Sequence, residues 1–176
     1  MAQNGNIRAA GIRDIDAVNS LLGQVLRLHH EGRPDLFNAS GKKYSDRELQ
    51  AIFSNPDTPV FVYEQEGAVL GYVFCVLNHV SSGSLKPLDT LYIDDLCVAE
   101  HARGQHIGKA LFDYAVAYAR AHGCYNVTLH VWECNPRARA FYEALGMTPQ
   151  YVSMELVCQA GTGREQAYSV PPPSAM

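Results

Sequence analysis

The sequence predicts an α/β sandwich in which one mixed sheet is flanked by helices. Three observations lead there. Residues 91–123 pass from a β-type apolar run through a polar turn with two glycines into a helical stretch. On either side, short β-rich runs and helix-period segments follow one another in the order β-α-α-β-β-β-α-β-α-β. The 176 residues, 47% apolar and 18% charged, are an ordinary globular balance and enough for one sizeable core.

In order, residues 7–10 read as a short first strand, broken at Gly11. A helix is expected from about residue 14 to residue 30, with Ile15, Val18, Leu22 and Val25 on its buried face and Asp14 able to cap it. Glu31-Gly32-Arg33-Pro34-Asp35 is a turn whose proline fixes the backbone. Ser45-Asp46-Arg47-Glu48 is a capping box that opens a second helix carrying Leu49, Ile52 and Phe53, and Asn55-Pro56-Asp57-Thr58-Pro59 ends it. Residues 60–64 and 68–77 are strands joined as a hairpin around Glu66-Gly67. Residues 79–89, with Ser81-Ser82-Gly83-Ser84 and Pro87, read as a loop.

The central unit follows. Leu91, Ile93, Leu96 and Val98 mark its strand, and Ile107, Leu111, Ala115 and Tyr118 share one face of its helix. Gly123 stands where a helix C-terminal glycine belongs. Residues 127–132 are a further strand. Asn135-Pro136 supplies a cap and a first-position proline for a last helix with Ala138, Phe141, Tyr142 and Leu145. Residues 151–157 read as a final strand, so residues 1–158 form one expected domain and the Gly/Pro/Ser-rich residues 159–176 a tail.

Composition narrows the function classes. A net charge of −4 argues against nucleic acid as a main partner, since a phosphate backbone wants a basic face. The five cysteines are odd in number and form no Cys-x-x-Cys pair, which fits reduced thiols in a cytoplasmic protein. The N-terminus has no signal-peptide pattern, and no apolar run approaches membrane-spanning length. The seven histidines show no metal-ligand spacing and no clustering with cysteines, so no metal site is expected.

Strand, glycine turn and helix together aim backbone N–H groups and a helix N-terminus at an anion, so the turn is a candidate phosphate site. It is not a P-loop: position 103 is Arg, and Gly108-Lys109 is followed by Ala110 rather than by Ser or Thr. The Gly-x-Gly-x-x-Gly of dinucleotide folds is absent too. Arg103, Ile107 and Gly108 instead resemble the Arg/Gln-x-x-Gly-x-Gly/Ala motif of the GCN5-related N-acetyltransferase (GNAT) family, with His106 in place of the first pattern glycine. Residues 135–147, Asn-Pro-Arg-Ala-Arg-Ala-Phe-Tyr-Glu-Ala-Leu-Gly-Met, are similar to a second element of that family, with methionine for its final aromatic. The resemblance covers residues 7–157 and implies the GNAT fold, acetyl-CoA as acetyl donor, and transfer to a primary amine. It implies that the amides of Arg103, Gly104, Gln105, His106, Ile107, Gly108 and Lys109 hold the pyrophosphate, with His106 in the helical angles of a first turn. Leu96, Cys97, Val98 and Asn135 are then expected to meet the cofactor arm.

Acyl transfer from a thioester to an amine makes three demands. The amine, with pKa near 10 as for lysine, must lose a proton; the carbonyl oxygen needs a donor; and the thiolate, of pKa about 8.5, benefits from a proton. Asp94 and Asp95 on the central strand are candidates for the first. Strand alternation would aim only one of them at the acceptor, unless a bulge changes the parity. Tyr92-Ile93-Asp94-Asp95-Leu96-Cys97-Val98 is similar to the corresponding strand of polyamine N-acetyltransferases. By the same resemblance the main chain at Cys97 and Val98 meets the acetyl carbonyl, and Tyr142 is the candidate acid. Cys97 has no histidine near it in sequence, which favours direct transfer over an acetyl-enzyme. His30, Arg33, Asp35 and Tyr44 fall in the segment that borders the acceptor pocket in the family, and Trp132 reads as core or rim.

The expected activity is thus N-acetylation of a small amine, polyamine-like by the charge argument. A peptide or protein amine as acceptor and a non-catalytic coenzyme A-binding sensor are the alternatives, and a homodimer is a further possibility.

Overall fold

The computed structural model describes residues 5–81 and 83–158; the tail expected at 159–176 lies outside the described residues. The elements are β1 (Asn6–Ala9), α1 (Ile15–Gly32), α2 (Asp46–Ser54), β2 (Val60–Gln65), β3 (Ala68–Val80), β4 (Leu88–Val98), α3 (Ile107–Ala121), β5 (Asn126–Leu129) and α4 (Pro136–Ala144), with single 3-10 turns at Ile12–Asp14 and Glu100–Ala102.

The sheet order is β1-β2-β3-β4-β5. The first four strands are antiparallel neighbours, and β5 joins β4 in parallel, which the crossover through α3 allows. Two faces are covered. On one, Cys97 of β4 meets the Leu21 carbonyl of α1, and Phe74 of β3 meets Phe53 of α2 and Tyr44 just before that helix. On the other, Phe61 of β2 packs against Tyr114 and Tyr118 of α3. Val18, Leu49, Val62, Tyr72, Val73, Leu91 and Leu111 are buried between the layers.

Local signals account for several element ends. Ser45 accepts from the Glu48 amide at 3.3 Å while Glu48 accepts from the Ser45 amide at 2.7 Å, closing the capping box. Asn135 Oδ1 accepts from the Ala138 amide at 3.1 Å, with Pro136 in the first turn behind it. The β2–β3 hairpin turns on Glu66 (φ 52) and Gly67 (φ 80), the two left-handed residues of a type I′ turn. Asp14 stands at the cap position of α1 but makes no capping bond. Its buried carboxylate instead takes Arg8 (2.7 and 2.8 Å) and the Gly11 amide (2.8 Å).

Three expectations need correction. The loop expected at 79–89 is shorter at both ends, for β3 and β4 stay paired through His79↔Asp89 and Val80↔Leu88, which leaves residues 81–87 between the strands. The strand expected at 127–132 stops at Leu129, because β5 leaves β4 there. Residues 151–157 form no strand. Val152, Met154 and Leu156 alternate as a half-buried strand would, yet they stand 74%, 87% and 68% exposed, and a groove lies between Val152 and the β5 edge.

Candidate active site

The site begins where two strands part. β4 and β5 pair over four residues, ending at Ile93↔Leu129. Beyond that point β4 continues to Val98, paired only with β3, and the chain after β5 leaves through His130 and Trp132 toward α4. A cleft of about 870 Å³ opens between them. The edge of residues 94–98 that β5 abandons presents backbone N–H and C=O groups to the cleft without a strand partner, ready for an extended polar ligand.

One end of the cleft is the turn before α3, where Arg103, Gly104, His106, Ile107, Gly108 and Lys109 all line the wall. Gly104 (φ 81) and His106 (φ 62) are both left-handed, so the turn curls before α3 starts. His106 was expected in right-handed helical angles and is not. The position needs a positive φ, which explains why the family pattern carries glycine there. The first cap bond of α3 is Ala110 N to His106 O at 3.0 Å, leaving the amides of the first turn pointing out of the helix with its positive dipole end. Arg103 Nε lies 3.4 Å from the Val98 carbonyl, which ties its guanidinium to the end of β4. Lys109 is held by Asp113 at 2.6 Å. At Gly108 a Cβ would meet Phe141 Cζ at 3.3 Å, so α4 rests on the helix start.

The other end centres on a bulge in β4. Phe74 pairs with Asp95 and Cys75 with Ile93, leaving Asp94 as the extra residue. Strand alternation is broken there, and both carboxylates reach one cation. Lys43 Nζ lies 2.9 Å from Asp94 Oδ2 and 3.7 Å from Asp95 Oδ2. Asp94 is 33% exposed, whereas Asp95 is 10% exposed and accepts from the Tyr72 hydroxyl at 3.2 Å. Burial raises the Asp95 pKa to about 6, with the charge of Asp94 adding to it and Lys43 and Tyr72 opposing. Lys43 is pushed down by burial but further up by the two aspartates, and stands above an ordinary lysine.

Tyr142 lines the cleft between α4 and β4, packed against Phe112 and Phe141. Burial first, then the charge of Asp95, raises its pKa, so its hydroxyl carries a proton throughout the neutral range. Cys97 is buried, and burial above all pushes its thiol up to about 12, which disfavours the thiolate that covalent catalysis needs. Leu96, Cys97, Val98 and Asn135 line the same wall, with the Asn135 carbonyl oxygen committed to its cap.

The segment between α1 and α2 contributes differently from expectation. His30 is turned to the Phe37 carbonyl at 2.8 Å, and Arg33 pairs with Asp35 at 2.7 Å and Glu155 at 2.9 Å, none of them on the cleft wall. Tyr44 reaches Asp94 only at 3.5 Å. The residues from this region that line the cleft are His29, Phe37 and Lys43. Phe37 packs on His29 (4.9 Å) and edge-on against Trp132 (5.3 Å), making an aromatic rim on the cleft. Sequence reading missed Lys43, Tyr72 and this rim except for Trp132, because the contacts join segments far apart in the chain.

Among the described residues no helix is long and apolar enough to cross a membrane, and no three His, Cys, Asp or Glu side chains converge as a metal site.

The family model described as Acetyltransferase (GNAT) family matches residues 25–147, from α1 to just past α4. The chain belongs to this family. It is similar to a 5-NmdU N-acetyltransferase of Pseudomonas phage PaMx11, 35% identical over 69% of this chain and 83% of the phage protein. It is also similar to an uncharacterized N-acetyltransferase of Methanocaldococcus jannaschii, 29% identical over 67% of this chain, of which it spans about half (51%). Among solved structures, a mutant of the BH1408 protein from Bacillus halodurans superposes with a TM-score of 0.84 at 32% identity, covering 88% of this chain and 99% of that one. The mixed five-stranded sheet with its flanking helices is the GNAT fold.

Proposed function

We propose that the protein is an acetyl-CoA-dependent N-acetyltransferase acting on a primary amine by direct transfer in a ternary complex. One observation carries the reading: the abandoned edge of β4, the curled turn before α3, the acidic pair and Tyr142 all line one cleft. In this reading the pyrophosphate lies on the amides of Gly104 to Lys109, with Arg103 beside it. The arm of the donor runs along Leu96, Cys97 and Val98, whose main chain also supplies the donor to the acetyl oxygen. Asn135 meets the arm through its side-chain NH₂, since its oxygen is occupied.

Asp94 receives the acceptor as a cation and Asp95 takes its proton, directly or through water. A carboxylate raised to about 6 is a better base than an ordinary one and is still ionised at neutral pH. Tyr142 protonates the departing thiolate.

Lys43 answers one of the two charges, so the pair offers room for one further ammonium rather than for a polycation. A small amine with an apolar or planar body against Phe37 and Trp132 fits the rim, and a polyamine-like acceptor fits only by displacing Lys43. The name of the phage relative supports an acceptor of the first kind. The test is a screen of amines in which release of free coenzyme A is measured. Turnover with none of them, alongside tight acetyl-CoA binding, would favour a sensor role.

A further inference from the structure

The acidic pair already holds an amine. Lys43 lies on the stretch between α1 and α2, bonded to Asp94 and near Asp95, with the Tyr44 ring 5.3 Å from its ammonium. It lines the same cleft as Val98 and Tyr142. If Asp94 and Asp95 receive the acceptor, as in the reading above on which this inference rests, then a primary amine of the chain itself stands in the acceptor position. We propose that Lys43 is an intramolecular acetyl acceptor: with donor bound and no free amine present, the protein acetylates its own Lys43 and thereby changes the charge of its acceptor site.

The step balances without any further reactant. The neutral Nζ attacks the thioester carbonyl carbon, a C–N bond forms and the C–S bond breaks. The amine proton passes to Asp95 and on to water. Tyr142 gives its proton to the thiolate and regains one from solvent. A lysine ammonium and acetyl-CoA become acetyl-lysine, free coenzyme A and one proton. The product amide no longer neutralises Asp94 and Asp95, so both charges become available to a cationic acceptor.

The groups facing Lys43 are Asp94, Asp95 and Tyr92 from β4, Tyr44 beside it and His29 from α1. The carboxylates keep it protonated at neutral pH, so the reaction is slow there and speeds up about tenfold per pH unit below the lysine pKa.

The test incubates the full chain with acetyl-CoA and no acceptor, then locates acetyl groups by peptide mass spectrometry. Lys42, 62% exposed and paired with Asp46 outside the cleft, is the internal reference for uncatalysed modification. Lys43 should be acetylated at least about 10-fold faster than Lys42, as proximity to a bound donor requires. The rate per molecule should not depend on protein concentration, and Tyr142→Phe should abolish the excess. Lys43→Gln, which imitates the acetylated side chain, should lower the KM for a cationic amine several-fold. Lys43 modified no faster than Lys42, or at a rate that grows with protein concentration, overturns the proposal. Free amines consumed in an Asp95-dependent way while Lys43 stays unmodified would sink this inference alone. No acetyl transfer to any amine would sink the proposed function with it.

Discussion

The Tyr72 hydroxyl donates to Asp95 Oδ2 at 3.2 Å from a fully buried ring on the neighbouring strand. A core phenol thus fixes the direction of the carboxylate that the proposed chemistry needs as its base. It also favours the ionised form, yet too weakly to offset burial, and Asp95 stays near 6.

Asp95 therefore affects stability and activity in opposite directions. Its folded pKa is raised, so between about 4 and about 6 the native state binds more protons than the unfolded chain, and stability falls as pH rises through that window. Asp95→Asn should remove this loss and raise stability at pH 7 by on the order of 2 kcal/mol. The difference between wild-type and variant unfolding curves at pH 4 and pH 7 isolates it from Asp14, whose lowered pKa acts in the opposite sense. Turnover should fall by about 10²-fold or more in the same variant. Asp94→Asn, at the more open carboxylate, should chiefly raise acceptor KM. Unchanged acceptor kinetics in both variants would remove the pair from the mechanism.

Tyr142→Phe keeps the ring against Phe112 and Phe141 and removes only the proton. Turnover should drop about 10²-fold while acetyl-CoA affinity and melting temperature hold. Full activity in this variant would reduce Tyr142 to a packing role.

What the sequence announced was mostly local. The Ser45–Glu48 box, the Asn135-Pro136 start and the Glu66-Gly67 turn each lie within four residues, and each formed as read. The strand at 151–157 failed because an alternating apolar pattern states what a strand would bury and not whether the chain comes close enough to pair with the free edge of β5. The parting of β4 from β5 at Ile93, which makes the cleft, has no residue signature of its own. Lys43 was illegible for a similar reason. Its two partners lie about fifty residues away, and only the folded chain brings a loop lysine over the bulge.

Cys97→Ala tests direct transfer. The buried thiol, raised to about 12, reaches the Leu21 carbonyl at 3.7 Å. The variant should keep turnover within a few-fold and lose about 1 kcal/mol of stability from the small cavity. Steady-state kinetics should show intersecting rather than parallel lines when both substrates are varied. Parallel lines with a dead Cys97→Ala protein would establish an acetyl-enzyme instead.

His106 carries the sharpest conflict between residue type and backbone. Its φ of 62 and ψ of 11 place a Cβ-bearing side chain in the left-handed region, at the residue that starts α3 and curls the candidate pyrophosphate turn. Such a position costs a non-glycine residue roughly 1 kcal/mol, less for histidine than for a β-branched residue. His106→Gly relieves the strain but loosens the unfolded chain, so the net gain should be about 0.5 kcal/mol, seen as a small rise in melting temperature. A β-branched residue does not accept the same angles, so His106→Val should destabilise by about 1 kcal/mol or more, on the order set by strained αL sites. Calorimetric titration should show acetyl-CoA affinity maintained or improved in His106→Gly and weakened in His106→Val, because the direction of the first-turn amides depends on this one residue's φ. Equal affinity in all three proteins would mean that the turn does not hold the donor's phosphates.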